Sequence, residues 1–342
     1  MALRVRRYTP DDEDALFAFR ETIFPKGHKS LDRPHFRWKF LKHPYAVELP
    51  FFIMEDDGRV VGTQGYWPFY LRVGNKRMTC GHLVDFNVKD PYRGLPTLRL
   101  FKAVSACSQL NFGAYISQDA QRFFTAANWV DMSSNLKNYY MYLRAPGKAG
   151  ITRKGKFFCQ YLWNNVRHKK LSKLARLYEF KVDLRLPHDL EQLISLDAEK
   201  NQLNFIKQRK FLAWRYEESE INKYRFASIH VNGKLKCTIV FNVLKDIEVN
   251  RCFIMDIFHL PGDELSIRIL LFKLIAYLRQ YRDIITIQTA ALPLLGEVFR
   301  DFGFRCYQSP IGFMCSKNYA GILNESNPPW KFNFNLGDTD FL

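Results

Sequence analysis

Leu83-Val84-Asp85-Phe86-Asn87-Val88-Lys89-Asp90-Pro91-Tyr92-Arg93-Gly94-Leu95-Pro96-Thr97-Leu98 is the stretch on which the reading of this chain turns. Its first six residues have the apolar, β-favouring character of a strand. Pro91, Gly94 and Pro96 then break regular structure and mark a loop. Leu98, Leu100, Phe101, Val104 and Cys107 recur at helical spacing. Phe112 to Ser117 reads as a second short strand, and Asp119 to Ala127 as a second helix ending at Asn128-Trp129. Strand, loop, helix, strand, helix is an α/β unit. The start of its first helix offers backbone amides without partners and the positive end of a dipole, with Arg93 beside it. That setting suits a pyrophosphate.

Outward from this unit the chain repeats itself. Arg4-Val5-Arg6-Arg7-Tyr8 followed by Thr9-Pro10-Asp11-Asp12 reads as a strand and a capped helix start. It is echoed by Phe180 to Leu184 and Leu186-Pro187-His188-Asp189, with Pro187 lying 177 residues after Pro10. Phe36-Arg37-Trp38-Lys39-Phe40 recurs as Phe211 to Tyr216 at an offset of 176. The hairpin dipeptides Asp57-Gly58 and Asn232-Gly233 lie 175 apart, as do Phe124 with Trp129 and Phe299 with Phe304. Four echoes in one order at nearly one offset indicate a duplicated fold.

Composition sets the outer limits. The 342 residues, 47% apolar and 25% charged, describe a folded chain of about two domains, not a disordered or collagen-like one. A net charge of +17 favours anionic partners. Ten Lys or Arg and no acid fall between Arg144 and Arg176, where Phe157, Phe158, Tyr161, Leu162 and Val166 form a helical stripe. That segment reads as a basic linker helix, with an anionic membrane surface as a further expectation. Met1 to Arg7 lacks the apolar core of an export signal, and Ile267 to Leu278 is too short to span a bilayer. The seven scattered cysteines read as reduced thiols of a cytoplasmic protein, and no metal-ligand spacing appears.

The stretch from Val88 resembles the GNAT superfamily of acyl-CoA-dependent N-acyltransferases, whose strand–loop–helix carries V-x-P-x-x-R-G-x-G-x-G/A. Val88, Arg93 and Gly94 match, Pro91 sits one place off, and Pro96 and Leu98 replace the later glycines. Downstream, Ser117-x-x-Ala120-x-x-x-Phe124-x-x-x-Asn128-Trp129 is similar to the family's N-x-x-A-x-x-x-Y-x-K-x-G-F, with Phe124 in place of the tyrosine. In the second half, His259 to Asp263 has neither the arginine nor the glycine pair. The resemblance implies an α/β (α+β) fold of two tandem GNAT-like domains, each a mixed, mainly antiparallel sheet flanked by helices. The expected limits are 1–145 for an acyl-CoA-binding domain, 146–177 for the linker helix, 178–320 for a degenerate second domain and 321–342 for an extended tail.

The same resemblance implies a function. Acetyl-CoA or another acyl-CoA would be held by Phe86, Asn87, Val88, Arg93, Gly94, Leu95, Thr97 and Leu98. Asp85 would take the proton of an attacking amine, and His82, Ser117 and Asp119 would contact the acceptor. An amino sugar of an envelope polysaccharide is the acceptor suggested by analogy. Two alternatives remain: a Fem-type transferase using aminoacyl-tRNA, which the charge would suit, and a non-catalytic binding protein that kept the fold. DNA is not an expected partner.

Overall fold

The computed structural model describes residues 3–135, 137–144, 169–200, 203–245, 250–291, 293–308 and 312–325. In the first half, β1 (Arg4–Arg7) leads into α1 (Glu13–Glu21) and the short α2 (Arg33–Phe36). Three strands follow: β2 (Phe51–Asp56), β3 (Arg59–Val73) and β4 (Lys76–Val88). Then come α3 (Leu95–Ser105), β5 (Leu110–Ile116), α4 (Gln118–Ala126), β6 (Val130–Asp131) and β7 (Lys137–Tyr142). The second half begins with α5 (Lys169–Ala175), β8 (Glu179–Asp183), α6 (Leu190–Lys200), β9 (Leu203–Phe205) and α7 (Arg209–Leu212). It continues through β10 (Arg225–Val231), β11 (Lys234–Lys245), β12 (Asn250–His259), α8 (Glu264–Leu278) and β13 (Ile284–Ala291). It closes with α9 (Pro293–Asp301), β14 (Arg305–Gln308), β15 (Gly312–Cys315) and α10 (Lys317–Glu325).

The two expected hairpins form where their dipeptides stand. Asp57 and Gly58 have φ of 47° and 76°, and Asn232 and Gly233 have 50° and 74°. Two consecutive left-handed residues make the tight turn whose twist matches a β-ribbon. Each half builds a mixed sheet, and among the described residues the only parallel pairings are β4 with β5 and β12 with β13. The orders are β1-β2-β3-β4-β5-β15-β6 and β14-β7-β13-β12-β11-β10-β8, with β9 added to β3.

Those orders correct the domain limits expected from sequence. β7, from before residue 145, pairs with β13 and β14 in the second sheet. β15, from the second half, lies between β5 and β6 in the first. The first half gives β7 to the second sheet and receives β9 and β15 in return, so neither sheet is a contiguous stretch of chain. The tail differs too, since residues 321–325 belong to α10. Most of the basic linker, with its aromatic stripe, lies outside the described residues.

One core runs across both halves. Trp38 and Trp214, 176 apart in sequence, are each 1% exposed and stack with ring centres 5.0 Å apart at 16°. Each indole N–H donates to the other's carbonyl at 2.9 Å. Both sit in π-helical turns, Arg37–Leu41 and Ala213–Glu217. The duplication read from sequence thus becomes a reciprocal contact across a local two-fold.

His43 lies against the same pair, its ring 4.3 Å from Trp214 and near Phe69 and Phe211. Burial, helped by the charge of Arg215, pushes its imidazole down to about 3. The folded value is below the unfolded one of about 6.5, so folding requires the neutral ring. Stability is then fully present above about pH 6.5 and is lost as pH falls toward 3, at about 1.4 kcal/mol per unit. We expect His43→Gln to lower stability at neutral pH but to remove about 2 kcal/mol of the loss between pH 7.5 and 5. Urea titrations of both chains at the two pH values would measure this; an equal loss in each would contradict it.

Candidate functional site: a cleft between parting strands

β4 and β5 pair in parallel only from Cys80–His82 to Leu110–Phe112. Beyond that point they part, and among the described residues no strand fills the gap. A cleft of about 780 Å³ opens there. Phe86, Asn87 and Val88 form one wall, and Ser117, Asp119, Ala120 and Phe123 the other. Thr22 and Ile23 from the end of α1, with Lys89, Asp90, Pro91, Arg93, Gly94 and Thr97 from the loop and the start of α3, complete the lining.

The loop end is shaped for an anion. Gly94 precedes α3 with φ 107° and ψ −129°, and no side chain caps the helix. That backbone conformation belongs almost only to glycine. The amides of Leu95 and Thr97 fall in the first turn, where helix N–H groups lack intrahelical partners. Pro96 contributes none, and the Leu98 amide already donates to the Gly94 carbonyl at 3.1 Å. The Thr97 hydroxyl donates to the Tyr92 carbonyl at 3.0 Å, and the Tyr92 hydroxyl to Asp56 at 2.8 Å. These bonds tie the loop to the sheet. The Tyr92 phenol is raised above its ordinary value by that bond to Asp56. Arg93 is 70% exposed and pairs with Asp90 at 2.9 Å, so it can exchange that partner for a ligand.

The equivalent helix start of the second domain is closed. Asp263 caps α8, its carboxylate accepting from the Ser266 amide at 3.1 Å and hydroxyl at 2.7 Å. A chain carboxylate already satisfies that helix start, and an incoming anion would meet it as a like charge.

Of the residues expected from sequence, Phe86, Asn87, Val88, Arg93, Gly94, Thr97, Ser117 and Asp119 line the cleft. Ser117 caps α4 through the Ala120 amide, and Asp119 pairs with Arg122 on the exposed rim. Four residues stand elsewhere. His82 is 1% exposed and stacks on Phe112 at 4.6 Å, inside the core, so it offers no acceptor contact. Leu95 is exposed outside the cleft wall, and Leu98 packs on the aromatic cluster around Phe101. Asp85 is also off the wall, with both carboxylate oxygens bound: Oδ1 to Lys39 at 2.7 Å and Oδ2 to Arg20 at 3.0 Å. Both oxygens are thus engaged by buried cations and neither faces the cleft. Phe124 is buried between Phe101 and Trp129, so that on α4 it is Phe123 that faces the cleft, opposite Phe86.

The fold has known counterparts. Residues 4–101 match the sequence model of the acetyltransferase (GNAT) domain. A GCN5-related N-acetyltransferase from Anabaena variabilis superposes with a TM-score of 0.59 at 10% identity, covering 92% of this chain and 72% of that one. The chain carries two tandem GNAT-like domains. An Enterococcus faecalis protein described as a probable N-acyltransferase gives 0.60 at 10% identity, with 94% and 74% covered. The N-myristoyltransferase of Saccharomyces cerevisiae, solved with myristoyl-CoA and inhibitors, gives 0.52 at 11%, with 92% and 79% covered. At such identity these likenesses establish the fold of the tandem GNAT-like chain, not its chemistry. No curated protein matches the sequence.

Among the described residues, no three His, Cys, Asp or Glu side chains converge as metal ligands, and no helix is long and apolar enough to cross a membrane. Thr22, Ile23 and Phe123 were not read from sequence as site residues. Nothing local marks the end of α1 as a cleft wall, whereas Phe123 carried a signal as the neighbour of the motif position Phe124.

Proposed function

We propose that the protein is an acyl-CoA-dependent N-acyltransferase whose first domain holds the cofactor. The observation that carries this reading is an uncapped helix start at the mouth of a gap between two parted parallel strands. Coenzyme A has a pyrophosphate for the first feature and an amide-bearing pantetheine arm for the second. An extended arm can bond to the facing edges of β4 and β5 as an added strand would. The fit is incomplete at Pro96, which withholds one donor. When bound, the cofactor supplies an acyl thioester open to attack by an amine.

The chain's own contribution is orientation. Arg93 and the amides around Gly94 fix the anionic end, β4 and β5 align the arm, and Phe86 and Phe123 give it an apolar surface. Holding donor and acceptor together accounts for much of the acceleration in such transfers. The acceptor is proposed as an amine, with amino sugars of envelope polysaccharides the first class to try. The use of acyl-CoA favours a cytoplasmic setting. Lys169, Lys170 and Lys173, all exposed on α5, support a peripheral contact with anionic membrane as a secondary proposal.

Calorimetry with coenzyme A tests the reading directly. Arg93→Ala should weaken binding about tenfold or more, the worth of one charge-assisted contact less the released pair with Asp90. Unchanged affinity in a folded variant would remove the cofactor from this cleft.

A further inference from the structure

We propose that Asp85 is a positioning residue that fixes the bulge of β4, and through it the wall of the cleft. Its backbone is left-handed, with φ of 50°, a conformation uncommon outside glycine. With Phe86 it stands opposite a single residue of β3, since Val84 faces Gly65 and Asn87 faces Thr63. A bulge re-aims the side chains that follow it. Here those are Phe86, Asn87 and Val88, one whole wall of the cleft.

The carboxylate is held from both sides by side chains that cannot drift. Lys39 is 4% exposed and Arg20 3%. Arg20 is itself fixed, donating to the Ser30 carbonyl at 2.8 Å and lying 4.7 Å over the Phe36 ring. Removing one partner of such a pair leaves a buried charge uncompensated.

The duplicated domain supplies an internal control. The register of β12 also slips in the corresponding stretch, with Ile254 facing Phe241 and Asp256 facing Val240, so that Met255 is the extra residue. An aspartate directly follows this bulge, paired in register with Val240 and without the left-handed backbone of Asp85, 2% exposed and bound by Lys207 at 2.6 Å and the Tyr216 hydroxyl at 3.2 Å. That domain's helix start is capped by its own Asp263. An acid needed for proton transfer has no use there, whereas one needed to hold a bulge does.

The consequence for acyl transfer rests on the function proposed above, so the test separates the two. Asp85→Asn keeps a residue that tolerates left-handed backbone and removes the charge; Lys39→Met removes a partner that is not on the cleft wall. In the free chain, hydrogen exchange at Phe86 to Val88 should quicken about tenfold or more in both variants, with Ile254 to His259 unchanged. Coenzyme A affinity should fall together in both, and Lys39→Arg should restore it. Turnover of acetyl-CoA with a simple primary amine should drop by one factor from pH 6 to 9. Wild-type exchange and affinity in Lys39→Met would overturn the assignment, as would a loss in Asp85→Asn that fades at high pH, the mark of a missing base. If the wild-type chain binds no coenzyme A, the acyl-CoA reading falls while hydrogen exchange still judges Asp85. Should Asp85→Asn fail to fold, the two Lys39 variants decide.

Discussion

Trp38→Ala should lower the unfolding free energy by about 3–5 kcal/mol, the usual cost of emptying a large aromatic site in a core. Trp38 fills space against Trp214 that neighbouring side chains cannot close, and its loss also strips the Trp214 carbonyl of its donor. Trp38→Phe keeps most of the ring and loses the N–H, which should cost about 1–2 kcal/mol. Because the pair belongs to both halves, and because β7 and β15 cross between sheets, both sheets should lose structure in one transition. Urea titration followed by circular dichroism and tryptophan fluorescence would check this. A loss below about 1 kcal/mol, or two separated transitions, would show that the halves fold independently of the indole pair.

What could be read in the sequence was local or repeated. Asp57-Gly58 and Asn232-Gly233 dictate their own left-handed turns, so both hairpins were legible from two residues each. The echo of Trp38 by Trp214 marked the duplication, though not that the two rings would meet. The open helix start after the loop from Lys89 to Thr97 was legible through Gly94 and Pro96, because an uncapped helix start is a property of a few adjacent residues.

The rest depended on partners distant in the chain. Nothing in Lys137-Asn138-Tyr139-Tyr140-Met141-Tyr142 tells which sheet will take β7; its alternation fits either. The place of Asp85 on a strand is visible in the sequence, and its two cations are not. Arg20 and Lys39 lie 65 and 46 residues away. His82 read as a site residue three positions before Asp85, but its ring is buried and stacks on Phe112, a partner 30 residues further along the chain. Asp263 with Ser266 is a local pattern, an acid three residues before a serine at a helix start, and it satisfies in the second domain the helix start that α3 leaves open.

That difference gives a paired experiment on two glycines. Gly94 and Gly262 both precede the first helix after the central strand of their sheets, with φ of 107° and 80°, and a Cβ at either would meet nothing within 4 Å. The penalty of a side chain is therefore one of backbone conformation alone, about 1–3 kcal/mol at such angles and greatest for a β-branched residue. An exposed loop relieves it by turning its peptides. In Gly94→Val that movement swings the Leu95 amide and Arg93 away from a shared anion, and coenzyme A affinity should fall about 100-fold or more, equal to about 2.7 kcal/mol. Gly262→Val carries comparable strain beside a helix start already satisfied by Asp263, and its affinity should stay within about twofold of wild type. Thermal melts would show similar destabilisation in the two variants while calorimetry separates them. Equal losses of affinity would mean that the ligand reads the second domain as well, and equal retention would mean that Gly94 is an ordinary turn.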